Sequence, residues 1–169
     1  EVGQLTFAVQ VYEVPLYVGT VITSVFLPRI ARNAVVGREP ELRRHFRRGL
    51  VLMTVLMVLA TLVLLLVVPV VIRHFFASYD EAMGILRVLV PLVIIKGVGQ
   101  YCSGGFLVGT GRTRIMLYLN LVGAVGNVIG DLLVVERWGA VGVAYVTLVV
   151  HGLVLIATIA YSVATTYGS

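Results

Sequence analysis

The sequence has few charged residues and only one cysteine. Asp, Glu, Lys and Arg make up 12% of it, about half of the roughly 25% that is typical of soluble domains. Hydrophobic residues make up 59%, and the mean hydropathy is +1.02. This composition excludes an ordinary soluble domain and indicates a membrane protein. The single cysteine, Cys102, excludes an intrachain disulfide, and we interpret it as a small residue within a helix.

The sequence also lacks the motifs of enzymes. It has no cysteine or histidine cluster with metal-ligand spacing, no phosphate-binding glycine loop between a strand and a helix, and no nucleophile beside a base. The segment GTGRTR (109–114) is only superficially like a glycine-rich loop, because it joins two apolar runs. We therefore predict a protein that is not an enzyme, has no metal or cofactor, and works by binding and movement.

Apolar runs long enough to cross a bilayer as helices, about 20 residues each, occur five times. A secretory signal peptide is a poor interpretation of the first run, because Gln4, Gln10 and Glu13 interrupt it. The chain starts within this run without an initiating Met, so we expect it to be a piece of a longer polypeptide. We predict an all-α, polytopic transmembrane bundle that forms one domain over 1–169, with spans near 4–28, 49–72, 85–108, 113–135 and 140–164.

The basic residues are concentrated in one predicted loop. Seven arginines lie between residues 29 and 48, against Glu39 and Glu41, and Arg112 and Arg114 follow two spans later. Because short basic loops stay in the cytoplasm, we predict a multi-pass protein of the cell membrane whose N-terminus lies outside and whose C-terminus is cytoplasmic. The net charge of +5 therefore reflects orientation rather than nucleic-acid binding. Contact of the arginines with anionic lipid head groups is a second interpretation.

Polar side chains recur at helical spacing in four of the five predicted spans. A helix that faces only lipid is apolar all round, whereas a helix that lines a hydrated cavity carries such a stripe. We therefore expect four striped spans to enclose a polar path, while the second span contacts lipid or packs as a scaffold. The stripes are Thr6, Gln10, Glu13, Tyr17, Thr20 and Ser24 on the first span; Lys96, Gln100 and Ser103 on the third; Asn120, Asn127 and Asp131 on the fourth; and Thr147, His151, Thr158, Ser162 and Thr165 on the fifth.

Two charges lie deep in the predicted spans, Glu13 in the first and Lys96 in the third. A charge at mid-membrane costs roughly 2.5 to 3.5 kcal/mol on insertion scales and often marks a functional path. Both lie roughly 15 Å from the outer end of their span, so we expect them to meet near the midplane. A buried ion pair without a transport role is the alternative. His151 lies at similar depth, where it packs or handles protons, and Asp131 lies nearer the outer surface.

Helix-disrupting residues lie beside these charges. Pro15 follows Glu13, and Pro91 precedes Lys96. Proline permits the bends that an alternating-access carrier needs. The glycines that instead predict close contacts between helices are Gly123, Gly126 and Gly130 on the fourth span and Gly139 and Gly142 at the start of the fifth.

Several segments, in their order and spacing, are similar to one family of membrane proteins. They are VGQLTFAV, VFLPRIAR, FFASYDEAMGILRVL, GTGRTR and LNLVGAVGNVIGDLLVVERWGAVGVAYVTLV. With them the chain resembles the C-terminal part of the polysaccharide or oligosaccharide flippases of the MATE-like superfamily, which comprises multidrug, oligosaccharidyl-lipid and polysaccharide exporters. Asp131 departs from the family pattern, in which asparagine is common at this position.

The resemblance implies a transporter of about twelve to fourteen helices in two bundles around a central cavity, with this chain as most of the second bundle. Such proteins move lipid-linked sugar precursors from the cytoplasmic to the outer leaflet, and many use H⁺ or Na⁺ gradients. The implied partners are the lipid-linked sugar, membrane lipids, and glycan polymerases or glycosyltransferases.

The resemblance also suggests roles for the candidate cavity residues. Lys96 is the cation that attracts the diphosphate of the substrate. Glu13 pairs with Lys96 in the empty state and takes up a proton or cation when the substrate competes for the lysine. Neutral side chains hydrogen-bond sugar hydroxyls. The candidates for substrate or ion binding are Lys96, Glu13, Gln10, Gln100, Tyr17, Asn127, His151 and Asp131.

Three alternatives remain open at this point. One is an ion-coupled multidrug exporter in which Glu13 is the cation-binding carboxylate, although a midplane lysine argues against a cavity for organic cations. A lipid II flippase of the same superfamily is the second. The third is a membrane scaffold that organises a glycan-synthesis complex through its arginine-rich loop and transports nothing.

Overall fold

The computed structural model describes residues 2–75 and 82–167, which form helices joined by short turns. No strand occurs in these residues, so the predicted all-α fold is confirmed. Residues 76–81, between the predicted second and third spans, lie outside the described residues. The helices are α1 (Val2–Val35), α2 (Glu39–Phe75), α3 (Ala82–Leu89), α4 (Pro91–Gln100), a π-helical segment (Tyr101–Leu107) and α5 (Thr113–Tyr167).

The arginine-rich segment 29–48 is helical, which corrects its prediction as a loop. Helix α1 continues to Val35, and α2 already begins at Glu39. Gly37 makes the tight turn between them with a φ of 71°, a conformation that favours glycine. Acidic residues in the first turn of α2, Glu39 and Glu41, interact favourably with the helix dipole and support this early start.

Helix α5 is 55 residues long and folds back on itself at Gly139. Gly139 has φ 54° and ψ −146°, which is outside the helical region. The first arm, 113–138, and the second arm, 140–167, are each about 40 Å long at ~1.5 Å per residue. Glycines of the first arm face valines of the second in antiparallel order, which produces the close helix contacts that the sequence predicts. The facing pairs are Gly123 with Val154, Gly126 with Val150 and Gly130 with Val146.

The predicted third span is the centre of the bundle. Half of its most apolar window is buried, compared with 17% or less in the other spans. Tyr101 illustrates the packing, because its ring is fully buried and stands edge-on to Phe26 at 5.9 Å. The Tyr101 hydroxyl donates to the carbonyl of His45 at 2.9 Å. This hydrogen bond joins the central segment to α2 near its arginine-rich end.

The central span is interrupted on both sides of Lys96. Val90 separates α3 from α4, which begins at Pro91, because proline has no N–H to donate and clashes with the preceding turn. Beyond Gln100 the backbone is π-helical over Tyr101–Leu107, a form that is rare and often found at functional sites. The expected irregularity beside Lys96 is therefore present.

In the described part of the chain, four helical stretches are long and apolar enough to cross a membrane: Val9–Val35, Glu39–Val71, Leu86–Leu107 and Thr113–Tyr167. The last of these contains the two arms of α5. Helix α2 exposes a broad face of valine and leucine side chains, in agreement with its predicted contact with lipid. The chain is therefore a multi-pass helical membrane protein.

Candidate substrate and ion-binding cavity

Lys96 is held by Tyr12, a residue of another helix. Its Nζ donates a 2.8 Å hydrogen bond to Tyr12 Oη and lies 5.2 Å from the centroid of the tyrosine ring. Tyr12 is only 3% exposed, and a buried tyrosine hydroxyl normally takes a hydrogen-bond partner. An ammonium has three N–H donors, so this bond occupies one of them.

The predicted ion pair between Glu13 and Lys96 is not formed. In residues 2–75 and 82–167, Lys96 has a tyrosine partner and no carboxylate partner. Consecutive residues of an α-helix point about 100° apart, so α1 can present either Tyr12 or Glu13 to Lys96. Packing against the central span selects Tyr12, and Glu13 lies half-buried on the adjacent face.

A half-open cavity of about 320 Å³ lies beside Lys96. Three predicted residues, Lys96, Gln100 and His151, line it together. None of the described residues in the cavity wall is acidic, so Lys96 makes the charge of the cavity positive. The other polar side chains of the wall are Ser103, Asn120 and Thr158.

Gln100 connects this cavity to α1. Its Nε2 donates a 2.8 Å hydrogen bond to Thr20 Oγ1, and the Thr20 hydroxyl donates to the carbonyl of Leu16 at 3.0 Å. The second bond fixes the threonine oxygen as an acceptor, which in turn fixes the orientation of the Gln100 amide. Gln100 Oε1 can then accept a hydrogen bond from a ligand.

His151 lies between two cavities. Its Nδ1–H donates to the Thr147 carbonyl at 2.9 Å, an assignment we make because a carbonyl only accepts. Nε2 is then the accepting nitrogen. His151 and Asn120 also line a second, more apolar cavity of about 360 Å³, and Asn127 lies in its wall. The two cavities therefore share His151 and Asn120, and these polar residues lie between Lys96 and Asn127.

Asn127 and Asp131 contact each other on one face of α5. Asn127 Nδ2 donates to Asp131 Oδ2 at 3.0 Å. The amide oxygen Oδ1 of Asn127 and the second carboxylate oxygen Oδ1 of Asp131 are buried and have no hydrogen-bond partner among the described residues. Buried oxygens without partners are unusual; both can coordinate a cation, and the Asp131 carboxylate can also take up a proton. Both residues are among the predicted candidates, but the structure separates them from Lys96.

Gln10 and Tyr17 lie outside both cavities. They are on an exposed face of α1, where Tyr17 is 70% exposed. The four polar stripes therefore converge in part: three spans contribute polar residues to the Lys96 cavity, and α1 reaches it through Thr20, but Gln10 and Tyr17 line neither cavity. The reason is that the buried face of α1, which packs on the central span, carries Tyr12, Gly19 and Thr23 instead.

The sequence argument does not identify Tyr12, because a tyrosine among valines resembles an apolar core residue. A usable signal is present nonetheless. Lys96 is the single lysine of the sequence, and a buried tyrosine hydroxyl needs a polar partner. The two residues lie at similar predicted depth in their spans, so Tyr12 is as well placed as Glu13 to meet the lysine.

The comparison with protein families agrees with this architecture. Among curated proteins and solved structures, none matches the chain. The MatE family matches residues 1–133 of the 169 residues, which include the whole of α1, α2 and α4 and most of the first arm of α5. Members of this family are membrane transporters rather than enzymes. The chain therefore belongs to the MatE family of membrane exporters.

Proposed function

We propose that this transporter moves an anionic, lipid-linked sugar precursor from the cytoplasmic to the outer leaflet of the cell membrane by alternating access. The observation that carries the proposal is the ammonium of Lys96, which Tyr12 fixes in a cavity without acidic residues in its described wall. The diphosphate of a lipid-linked sugar is strongly negative. In a cavity of low dielectric constant, the attraction between such a group and a lysine is far stronger than in water.

The same observation argues against a cationic drug as the substrate. A cavity for organic cations needs negative charge, whereas the formal charge in the described wall belongs to Lys96. Glu13, the candidate carboxylate for a drug exporter, lies on another face of α1. A lipid II flippase has the same chemistry of a diphosphate linked to a sugar, and the site supports it as one form of the proposed function.

Neutral polar groups around Lys96 suit a sugar. The hydroxyls of Ser103 and Thr158 both donate to backbone carbonyls at 2.7 Å, which leaves their oxygens as acceptors. Gln100 and Asn120 add amide groups to the same wall. We propose that these four residues bind sugar hydroxyls while Lys96 binds the diphosphate.

The backbone around Lys96 supports a moving carrier. The break at Pro91 lies on one side of the lysine and the π-helical segment on the other. Both interrupt the regular helical hydrogen bonds, so the central span can bend where the substrate binds. We propose that this bending opens the cavity to one leaflet at a time.

We further propose that Asn127 and Asp131 bind the coupling ion, H⁺ or Na⁺. Their two buried Oδ1 atoms lack hydrogen-bond partners among the described residues; both can coordinate a cation, and the Asp131 carboxylate can also take up a proton. His151 and Asn120 line the walls of both cavities and connect this pair to Lys96. Ion binding can thus influence the substrate cavity through residues that the two cavities share.

The experiment that tests the substrate class uses the full-length transporter in proteoliposomes. One arm follows transbilayer movement of a fluorescent undecaprenyl-diphosphate oligosaccharide, and the other follows efflux of the organic cation ethidium. Movement of the sugar lipid without movement of ethidium supports the proposal. Movement of ethidium alone supports the drug exporter, and movement of neither supports a scaffold.

A further inference from the structure

The arginine-rich end of the bundle contains a third cavity. It shares no wall residue with the Lys96 cavity, and the proposed transport does not involve it. Its volume is about 260 Å³, and four parts of the chain form its wall: the end of α1, the start of α2, the turn after the π-helical segment, and the end of α5. Arg43 and Arg112 bring two guanidinium groups to this wall, and Glu39 brings one carboxylate. The uncharged polar residues of the wall are Asn33, Thr110, Thr165 and Thr166.

Arg43 is oriented by two contacts at the edge of this cavity. Its guanidinium lies 5.3 Å from the centroid of the Tyr167 ring, and its Nη2 lies 3.5 Å from Glu39 Oε2. The ion pair is longer than the 2.7 to 2.9 Å of a strong charge-assisted hydrogen bond, and the Glu39 side chain is 58% exposed. Such surface pairs are weak, so a more highly charged anion can displace the carboxylate.

The position of the cavity along α2 corresponds to the head-group level of a bilayer. Arg47 and Arg48 lie beside the exposed apolar side chains of Val51, Leu52 and Val55, where lysine or arginine stems typically extend from the hydrocarbon toward water. Arg43 precedes Arg47 by one helical turn, or about 6 Å at ~1.5 Å per residue. The head-group region extends roughly 5 to 8 Å beyond the hydrocarbon on each side.

We infer that this cavity binds a phosphate group between Arg43 and Arg112. Guanidinium groups bind phosphate through paired hydrogen bonds, and the threonine hydroxyls and the Asn33 amide supply additional contacts. The phosphate belongs to an anionic phospholipid head group or to a soluble phosphate, since both offer the same chemistry. The bound group connects the ends of α1 and α5 to the start of α2, and so it stabilises this end of the bundle. The inference holds whatever substrate the transporter moves.

The test uses the purified full-length protein in a neutral detergent. The thermal unfolding midpoint is followed during titration with sodium phosphate in one arm and with phosphatidylglycerol in the other, with sodium chloride and phosphatidylcholine as the matching reference titrations. We expect a saturable rise in the midpoint. Saturation by phosphatidylglycerol alone identifies the lipid head group, and saturation by phosphate as well identifies a site open to soluble phosphate.

Three glutamine variants decide whether the cavity is the site. Arg43→Gln and Arg112→Gln should each weaken binding about tenfold or more, because each removes charge-assisted hydrogen bonds. Arg44→Gln removes the same charge from an exposed position outside the cavity and should bind like the parent. Arg112 lies in a turn, so its variant tests the site even if Arg43→Gln does not fold. The inference is overturned if no titration saturates, or if Arg44→Gln weakens binding as much as the other two.

Discussion

Tyr12 accepts a hydrogen bond from Lys96 and also places its ring 5.2 Å from the lysine ammonium. The single lysine of the chain is thus fixed by a neutral side chain rather than neutralised by a carboxylate. A hydrogen bond to a charged group contributes about 1.5 to 3 kcal/mol, which offsets part of the cost of a charge at membrane depth. The positive charge remains available in the cavity, and it is the property that an anionic substrate requires.

Removal of the Tyr12 hydroxyl should weaken substrate binding. In Tyr12→Phe the ring remains, but the ammonium loses the hydrogen bond that orients it, an interaction worth about 1.5 to 3 kcal/mol. We expect the KM for the lipid-linked sugar to rise about tenfold. Initial rates in proteoliposomes measure this change. Tyr118→Phe is the matched control, because Tyr118 is 62% exposed and lies outside the cavity. An unchanged KM in Tyr12→Phe would show that the hydroxyl does not orient the lysine for binding.

Gly49 provides a test of the packing between α2 and the central span. A Cβ at this position would overlap the ring and hydroxyl of Tyr101, so Gly49→Ala should lower the free energy of unfolding by about 1 to 3 kcal/mol. Gly104→Ala is the control, because its Cβ would meet no atom within 4 Å. Thermal unfolding in detergent compares the two variants. Equal midpoints would contradict the described contact of Tyr101 with α2.

Gly139 provides a test of the fold-back of α5. Its φ of 54° and ψ of −146° belong to a region that residues with a side chain rarely adopt. Gly139→Ala should therefore destabilise the protein by about 1 to 3 kcal/mol. Gly126→Ala should change stability little, since its Cβ would meet Val150 at an ordinary distance of 3.8 Å. If both variants unfold at the temperature of the parent, α5 does not turn at Gly139 as described.

Asp131 provides a test of ion coupling. Asp131→Asn removes the carboxylate next to Asn127 and should abolish the dependence of transport on a Na⁺ or H⁺ gradient. Transport rates are measured with each gradient imposed separately across the proteoliposome membrane. Glu136→Gln removes a carboxylate from an exposed position of the same arm and should retain the dependence. Retained dependence in Asp131→Asn would locate the coupling ion elsewhere.

Much of the fold follows from the sequence. The apolar runs predict the helical spans, and Gly139 within ERWG marks the reversal between the arms of α5. Helical spacing also places Lys96 and Gln100 on one face, and the structure brings His151 to the same cavity. These features depend on local periodicity and on residues whose backbone preferences are strong.

The rotation of α1 does not follow from the sequence. A polar stripe indicates that a helix has two kinds of face, but not which face meets the neighbouring helix. Tyr12 and Glu13 differ by one position, and the packing of α1, in which Gly19 lies close to Met53 and Met57 of α2 and Thr23 close to Gly105, selects the tyrosine. The extension of α1 and α2 through the arginine-rich segment is also missed, because hydropathy locates the membrane boundary rather than the helix ends.

The most direct measurement is the rate of transbilayer movement of a labelled undecaprenyl-diphosphate oligosaccharide by full-length protein that carries Lys96→Met or Lys96→Arg. Methionine preserves the apolar stem of lysine without its charge, whereas arginine retains the charge. We predict that Lys96→Met lowers the rate about tenfold or more and that Lys96→Arg retains most of it, because close charge pairs are worth about 1.5 kcal/mol or more. Movement by Lys96→Met at the rate of the parent would contradict the assignment of Lys96 as the anion-binding residue.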